Sequence, residues 1–383
     1  MLMDVREGVL HMKLTKQNAY DMLTGVGILG TGGGGDPVGF GKPLVDWDYG
    51  KGRVYEITDP KDIKDDAFIV CGGYMGSVKA FTSVGDMLEK WEKRFELYEV
   101  TKITEKMTGK KVNHVVPFEL GGLNTTVMLS MATRAGITSV DGDGLGRSAP
   151  ESQMISFVGY GISLCPMPVV TKGGSIVIVQ QASIPALADE IGRFAVVQDG
   201  GAGANNHYYQ TGAQLKKSVV ANSITKSIRL GEAIRDANAS HKNPIDTFLS
   251  VMGGRVLTTG TIKEVKGEDR AGHWQVLVTI KPEDIKGKFQ IVVKNEYMCA
   301  LCDDKPVVMF PDLICMHDPK TGYGIMSSDL KEGLRVTVTA LPAPERVRFA
   351  GNTDIGRKAF GPERYGHPEL QYKPMEEIIK NLH

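Results

Sequence analysis

His114-Val-Val-Pro-Phe-Glu-Leu-Gly-Gly-Leu-Asn124, with the helical pattern of 123–135 and the apolar Ala135-Gly-Ile-Thr-Ser-Val140 behind it, decides the fold class. Val115-Val116 reads as a buried strand, the glycines as its exit turn, and 123–135 as a helix stopped at Gly136. Residues 137–140 are then the next strand. A strand, loop, helix, strand order implies a parallel sheet with right-handed crossovers. Upstream, Ala67-Phe-Ile-Val-Cys-Gly-Gly-Tyr-Met-Gly76 has the same character, an apolar central strand running into glycines.

Val140-Asp-Gly-Asp-Gly-Leu-Gly-Arg-Ser-Ala-Pro-Glu151 follows directly. It puts Asp141 at a strand's C-terminal end, the edge of an open α/β sheet where ligands bind. Asp141 and Asp143, two apart in an extended segment, are expected to point the same way. Such a pair can hold a divalent metal such as zinc, share a proton, or divide into a base and an orienting group. Glu119 and Glu151 are natural third carboxylates. Arg147 could clamp an anion bidentately or close the loop with a salt bridge. A tight, solvated Asp-Gly turn is the plainer reading of the same residues.

Outward from this block, residues 16–28 read as a helix with Thr15 as N-cap. It runs into Leu29-Gly-Thr-Gly-Gly-Gly-Gly-Asp-Pro37. Backbone N–H groups there could cradle an anion, which makes Gly32, Gly33 and Gly34 candidate substrate-binding positions beside Gly73, Asn124 and Glu151. A flexible helix stop is the alternative. No Lys-Ser/Thr follows, so the loop is not a Walker A motif. Residues 85–107 suit one or two surface helices. Past Cys165-Pro-Met-Pro168 the pattern changes. Asp199–Gln210 reads as a polar loop, 213–237 as one long helix, and 254–340 as five or more β-branched strands of a barrel or sandwich. The expected organisation is a three-layer α/β domain with a mostly parallel sheet at 1–165, a β-rich, barrel-like domain at 166–345, and a tail at 346–383 ending in the helix Met375-Glu-Glu-Ile-Ile-Lys-Asn-Leu382.

His207, in Asn205-Asn-His-Tyr-Tyr209, could reach the acidic site as acid, base or ligand, or remain a surface-loop histidine. Cys299-Ala-Leu-Cys302 with Cys315-Met-His317 has zinc-like spacing. Apolar residues between the cysteines and a strand context fit buried core thiols instead. The five cysteines, an odd number, suit reduced thiols better than a disulfide framework. With 383 residues, 42% of them hydrophobic, and zero formal net charge, the chain has material for two cores and no basic stripe for nucleic acid. No apolar run reaches the roughly 18–20 residues of a membrane span, and the N-terminus lacks a signal-peptide pattern. The expectation is a soluble, cytoplasmic protein.

Four stretches together, Gly30-Thr-Gly-Gly-Gly-Gly-Asp-Pro37, Pro117-Phe-Glu-Leu-Gly-Gly-Leu-Asn124, Val140–Arg147 with Pro150-Glu151, and Pro311-Asp-Leu-Ile314, resemble the S-methyl-thiohydantoin desulfurase-like family. The resemblance covers most of the chain, and the Asp-Gly-Asp-Gly-x-Gly-Arg-x-x-Pro-Glu block is its specific part. It implies an α/β N-terminal domain, a β-barrel C-terminal domain, and hydrolysis of a five-membered cyclic imide or its thio analogue. Genes of this family often sit beside hydantoinase/oxoprolinase genes, which implies such subunits as partners. Ser77-Val78 and residues 147–150 depart from the family's usual pattern. The leading expectation is a homo-oligomeric hydrolase of a small hydantoin-like ring. Water is activated by Asp141 or Asp143, Arg147 and glycine N–H groups hold the developing anion, and Glu119, Asn124 and His207 orient the reactants. A non-catalytic hydantoinase/oxoprolinase subunit and a phosphate-binding enzyme built on the glycine loop are the alternatives.

Overall fold

The computed structural model describes residues 2–6, 9–76 and 84–379; Ser77, Val78 and residues 380–382 of the tail lie outside them. Four parallel strands form the centre of the first sheet, in the order Glu56–Thr58, Thr138–Val140, His114–Pro117, Phe68–Gly76. Three of them are the apolar runs with glycine exits, Glu56–Thr58 is an additional short strand, and the helix Asn124–Ala135 makes the crossover between two of them. Antiparallel strands extend both sides. Leu2–Arg6 and Val9–Lys13 flank one edge, and Ala202–Thr211, Met167–Thr171 and Ile176–Val179 the other, for nine strands in all.

Ala202–Thr211 corrects the sequence reading, which has a polar loop at 199–210. Small residues let this strand fit between two neighbours. Asn205 and Asn206 stand opposite Gly73 and Gly72, and a Cβ on Gly72 would come within 2.5 Å of the Asn206 Oδ1. Low strand propensity at Ala202-Gly-Ala-Asn-Asn206 is overridden by this tertiary fit. The chain also leaves the first sheet later than the expected boundary at 165, because three strands between 167 and 211 belong to that sheet.

The second sheet is antiparallel and seven-stranded, built from Arg255–Arg270, His273–Pro282, Phe289–Lys294, Glu296–Cys302, Lys305–Met309, Leu313–His317 and Arg335–Leu341. It curls until Leu313–His317 lies against Glu296–Cys302, but no ladder closes it, so it is a half-barrel. The expected helix at 213–237 is two helices, Gly212–Ser218 and Ser223–Ala239. Between them Val220-Ala221 pairs with Gly142-Asp143, which breaks the helical run. The expected helices at 16–28 and 85–107 are present as Lys16–Leu29, Val84–Lys93 and Glu96–Thr108, with Thr15 and Asn18 forming a capping box on the first.

Lys16–Leu29 crosses Ser223–Ala239 at backbone distance. A Cβ on Gly231 would lie 1.7 Å from the Asp21 carbonyl oxygen, and one on Gly25 would lie 2.0 Å from that of Ser227. This crossing presses the start of the glycine loop against the rest of the molecule. Gly231→Ala is expected to lower the melting temperature clearly, by about 2 kcal/mol or more of overpacking strain. Gly50→Ala, at a helix position with nothing within 4 Å, should be neutral or slightly stabilising. Thermal denaturation followed by circular dichroism checks both, and equal behaviour of the two variants would contradict the close crossing.

Candidate functional site

The C-terminal ends of the parallel strands face a cavity of about 280 Å³. Its walls come from the glycine loop (Gly34, Gly35, Asp36), the strand exit Gly73–Gly76, Phe118-Glu119 with Asn124, the segment Ala149–Ser152, and Asn205 and His207 of the antiparallel strand. The half-barrel contributes Asn295 and Glu296. The position at the sheet's carboxyl edge is the one parallel topology provides for ligands.

Two buried carboxyl groups define the floor. Glu119 accepts from Asn124 Nδ2 at 2.6 Å and from the Ala149 N–H at 2.7 Å. Glu296 accepts from the Ser148 hydroxyl at 2.8 Å through Oε1, while its Oε2 has no partner among the described residues. Burial pushes both carboxyls well above the ordinary carboxylate range, and the neighbouring charge of Glu119 pushes Glu296 further. His207 faces the same cavity. Its Nδ1 lacks a partner among the described residues, its ring packs edge-on against Phe118 and Tyr208, and burial lowers its pKa to about 3, so it is a neutral imidazole.

The glycine loop packs as tightly as a core. A Cβ on Gly33 would overlap Glu296 Oε1 at 1.8 Å, one on Gly35 would meet Leu123 at 2.1 Å, and one on Gly32 would meet the Tyr297 ring at 2.5 Å. Gly32, Gly34 and Gly35 also hold φ of +85°, +73° and +90°, which favours glycine. The Gly34 and Gly35 N–H groups make no hydrogen bond to the described residues, and both residues line the cavity. Gly32 and Gly33 instead face protein.

Asp141 and Asp143 do not share a site, which corrects the expectation of two carboxylates facing one ligand. Asp141 caps the helix Ser223–Ala239, accepting from the Thr225 N–H at 2.9 Å and hydroxyl at 2.6 Å. Asp143 folds back onto its own loop, accepting from the Leu145 and Gly146 N–H groups at 2.8 and 2.7 Å. Burial raises its pKa to about 7. Neither lines the cavity. Their hydrogen bonds leave a metal only Asp143 Oδ1, so the donor set does not fit a divalent ion. No group of three His, Cys, Asp or Glu among the described residues is placed to hold one. Cys299 and Cys315 are buried on strands, and His317 is held between the Gly322 carbonyl and the Thr339 hydroxyl, so the core reading applies.

Arg147 is also not in the cavity. It is buried and donates to the Ser148, Asp312 and Tyr297 carbonyls and the Thr31 hydroxyl, with its guanidinium 4.9 Å over the Phe310 ring. Glu151 lines the cavity, but Lys294 and Arg364 engage its carboxylate. Sequence reasoning missed Glu296, Ser148, Asn205 and Arg193. Glu296 could have been found as a lone acid in an apolar strand. Arg193 could have been found as one half of an i, i+4 pair with Asp189 on a helix; it lines the cavity and donates to the Pro150 carbonyl at 2.8 Å.

Family models for the N- and C-terminal domains of S-Me-THD-like proteins match residues 17–181 and 183–375. The chain belongs to the S-Me-THD-like family. That family name suggests an enzyme of thiohydantoin-related desulfurisation. The fold is also similar to the crystal structure of a protein from Chromobacterium violaceum, with a TM-score of 0.74 and 20% identity over 95% of this chain and 100% of that one. No curated protein matches. Among the described residues no helix is long and apolar enough to cross a membrane.

The raised carboxyls set a pH dependence. Unfolded, Glu296 ionises near the usual 4.3; folded, it holds its proton to higher pH. Its contribution to stability is therefore complete below that value and is lost as pH rises through neutrality. Glu296→Gln should lose less melting temperature than the parent between pH 5 and pH 9. Parallel melting curves for the two proteins would remove the assignment.

Proposed function

We propose that the cavity hydrolyses a five-membered cyclic imide or its thio analogue, of the hydantoin or S-methyl-thiohydantoin kind. The observation that carries the reading is the pair Glu119 and Glu296, two buried carboxyls with raised pKa values bracketing Ser148-Ala149 beside the N–H groups of Gly34 and Gly35. A pair that keeps one proton near neutral pH can serve as base and acid in one turnover. The ionised member takes a proton from water, whose oxygen adds to the ring carbon. The glycine N–H groups hold the negative charge that develops. The protonated member delivers its proton to the leaving atom. For an S-methyl-thiohydantoin this is sulfur, the carbon–sulfur bond breaks and methanethiol departs; for an oxo ring it is the ring nitrogen and the ring opens. Asn124 orients Glu119 through its 2.6 Å bond, and neutral His207 offers Nδ1 to the substrate. In this reading Asp141, Asp143 and Arg147 position the loop and do not touch the substrate.

The test is a screen of hydantoins, S-methyl-thiohydantoins and lactams, followed by variants on the best substrate. Glu119→Gln and Glu296→Gln are each expected to lower kcat by about 10²- to 10⁴-fold, the usual contribution of acid–base catalysis, with the fold retained by circular dichroism. Asp141→Asn is expected to lower the melting temperature more than kcat. Turnover should survive dialysis against a chelator, with metal content measured alongside. Full activity in either glutamine variant would sink the mechanism.

A further inference from the structure

Ser148 stands between the two carboxyls of the candidate site. Its hydroxyl donates to Glu296 Oε1 at 2.8 Å. The same hydroxyl acts on Glu119: burial pushes both carboxyls up, and Ser148 pulls each part of the way back. The backbone here is fixed on both sides. The Ser148 carbonyl accepts from Arg147 Nε at 2.8 Å, and the next N–H, of Ala149, donates to Glu119 at 2.7 Å. A Cβ on Gly34 would come within 3.1 Å of the Ser148 hydroxyl oxygen, so the glycine leaves that hydroxyl its room.

Ser148 is fully buried and forms no part of the cavity wall, although Glu119, Ala149 and Glu296 do. It therefore touches no molecule in the cavity, and its hydroxyl is neither a nucleophile nor a binding group. What it can serve is the pair of carboxyls, and proton count sets how. A hydroxyl has one proton to donate and lone pairs with which to accept. Between two carboxyls it satisfies both only when one of them is protonated: it accepts from the acid and donates to the carboxylate. Two arrangements of the same heavy atoms meet this condition. In one the acid proton is on Glu296, in the other on Glu119. They differ by the shift of two protons along Glu296, Ser148 and Glu119.

The hydrolysis proposed above passes between these two states, and the inference rests on that reading. A turnover begins with Glu119 ionised and Glu296 protonated. It ends with a proton from water on Glu119 and none on Glu296. We propose that Ser148 resets the pair by relaying that proton from Glu119 back to Glu296. The Glu119 O–H bond breaks and its proton goes to the Ser148 oxygen. The original Ser148 O–H bond breaks in turn, and that proton goes to Glu296 Oε1. The net charge of the pair is unchanged, the serine recovers its hydroxyl, and no acid or base from solvent is consumed. Ser148 is a positioning residue in this scheme, because it acts through the two glutamates.

The experiment compares Ser148→Ala with the parent, each at its own pH optimum, with the fold checked by circular dichroism. With enzyme in excess over the best ring from the screen, the first turnover of Ser148→Ala should run close to the parent's rate. In steady state kcat should fall about 10-fold, less than the 10²- to 10⁴-fold expected for the glutamates themselves. KM should fall with it and leave kcat/KM unchanged, because the reset follows the chemistry. Imidazole added at constant pH should restore kcat in Ser148→Ala and leave the parent's unchanged, since a diffusing acid–base pair can carry the proton instead. A serine that only props the two side chains would slow first and later turnovers together and gain nothing from imidazole, which would overturn the proposal. Infrared spectroscopy reads the arrangement without substrate. The carboxylic C=O band near neutral pH, identified by difference from Glu296→Gln, should move to higher wavenumber in Ser148→Ala as the acid loses its acceptor. An unmoved band also overturns the proposal. A parent that turns over no ring instead fails the hydrolytic reading and takes the reset with it, whatever the band shows.

Discussion

Arg147 is the interaction on which the arrangement depends. A guanidinium taken out of water must have its N–H groups satisfied. Here they reach across the molecule, to Thr31 in the glycine loop, to Ser148 beside the cavity, and to Tyr297 and Asp312 in the half-barrel. All four acceptors are uncharged, and no salt bridge among the described residues neutralises the group. The cation sits over the Phe310 ring and within the field of Glu296, Asp312 and Glu119. Its demand for acceptors fixes where the glycine loop lies against Tyr297, and hence where Glu296 lies against Glu119. Asp312 carries the constraint outward: its carboxylate takes the Ala343 and Met375 N–H groups and Arg348, which anchors the tail.

The same constraint accounts for the glycines. Once Arg147 draws the loop onto the half-barrel, Gly32 must clear the Tyr297 ring and Gly33 must clear Glu296. Sequence reading took the glycine run as flexibility or an anion cradle. The structure divides it: Gly32 and Gly33 are there for close packing, and Gly34 and Gly35 present unbonded N–H groups in residues that line the cavity. Neither half requires mobility.

Three of the four parallel strands were legible because they are apolar runs with glycine exits, a local signal; Glu56-Ile-Thr58 carries no such signal and was not read. Glu119 and Asn124 were legible for the same reason, since a strand's C-terminal end is identifiable in sequence. Asp141 and Asp143 show the limit of that rule. The rule puts them at the right edge of the sheet, but their orientation is set by Thr225, 84 residues away, and by a local turn of the backbone. Spacing two apart decides direction only in a regular strand, and Gly142-Asp143 is a two-residue bridge to Val220-Ala221. Glu296 and Arg193 were missed because the strand and helix that carry them lie far in sequence from the glycine loops and strand ends that mark the site. His207 was singled out and lines the cavity, but was assigned to a loop, because strand propensity cannot register a neighbour as accommodating as Gly72-Gly73.

Two buried polar atoms in the cavity-lining residues, Glu296 Oε2 and His207 Nδ1, have no partner in the described protein. Such groups cost about 1–3 kcal/mol each when left unpaired. Ser148 already reaches one oxygen of Glu296, and Asn124 and Ala149 each hold one oxygen of Glu119. The fold thus spends its hydrogen bonds on orienting one carboxyl fully and the other by half. That asymmetry matters chemically. Glu119, gripped on both oxygens, is the more readily ionised member, and Glu296, raised further by it, keeps the proton. In the proposed reading the base then sits on the parallel sheet and the acid on the half-barrel. The proposed chemistry accordingly requires both halves of the chain to be packed together, and Arg147, bonded to both, holds them so.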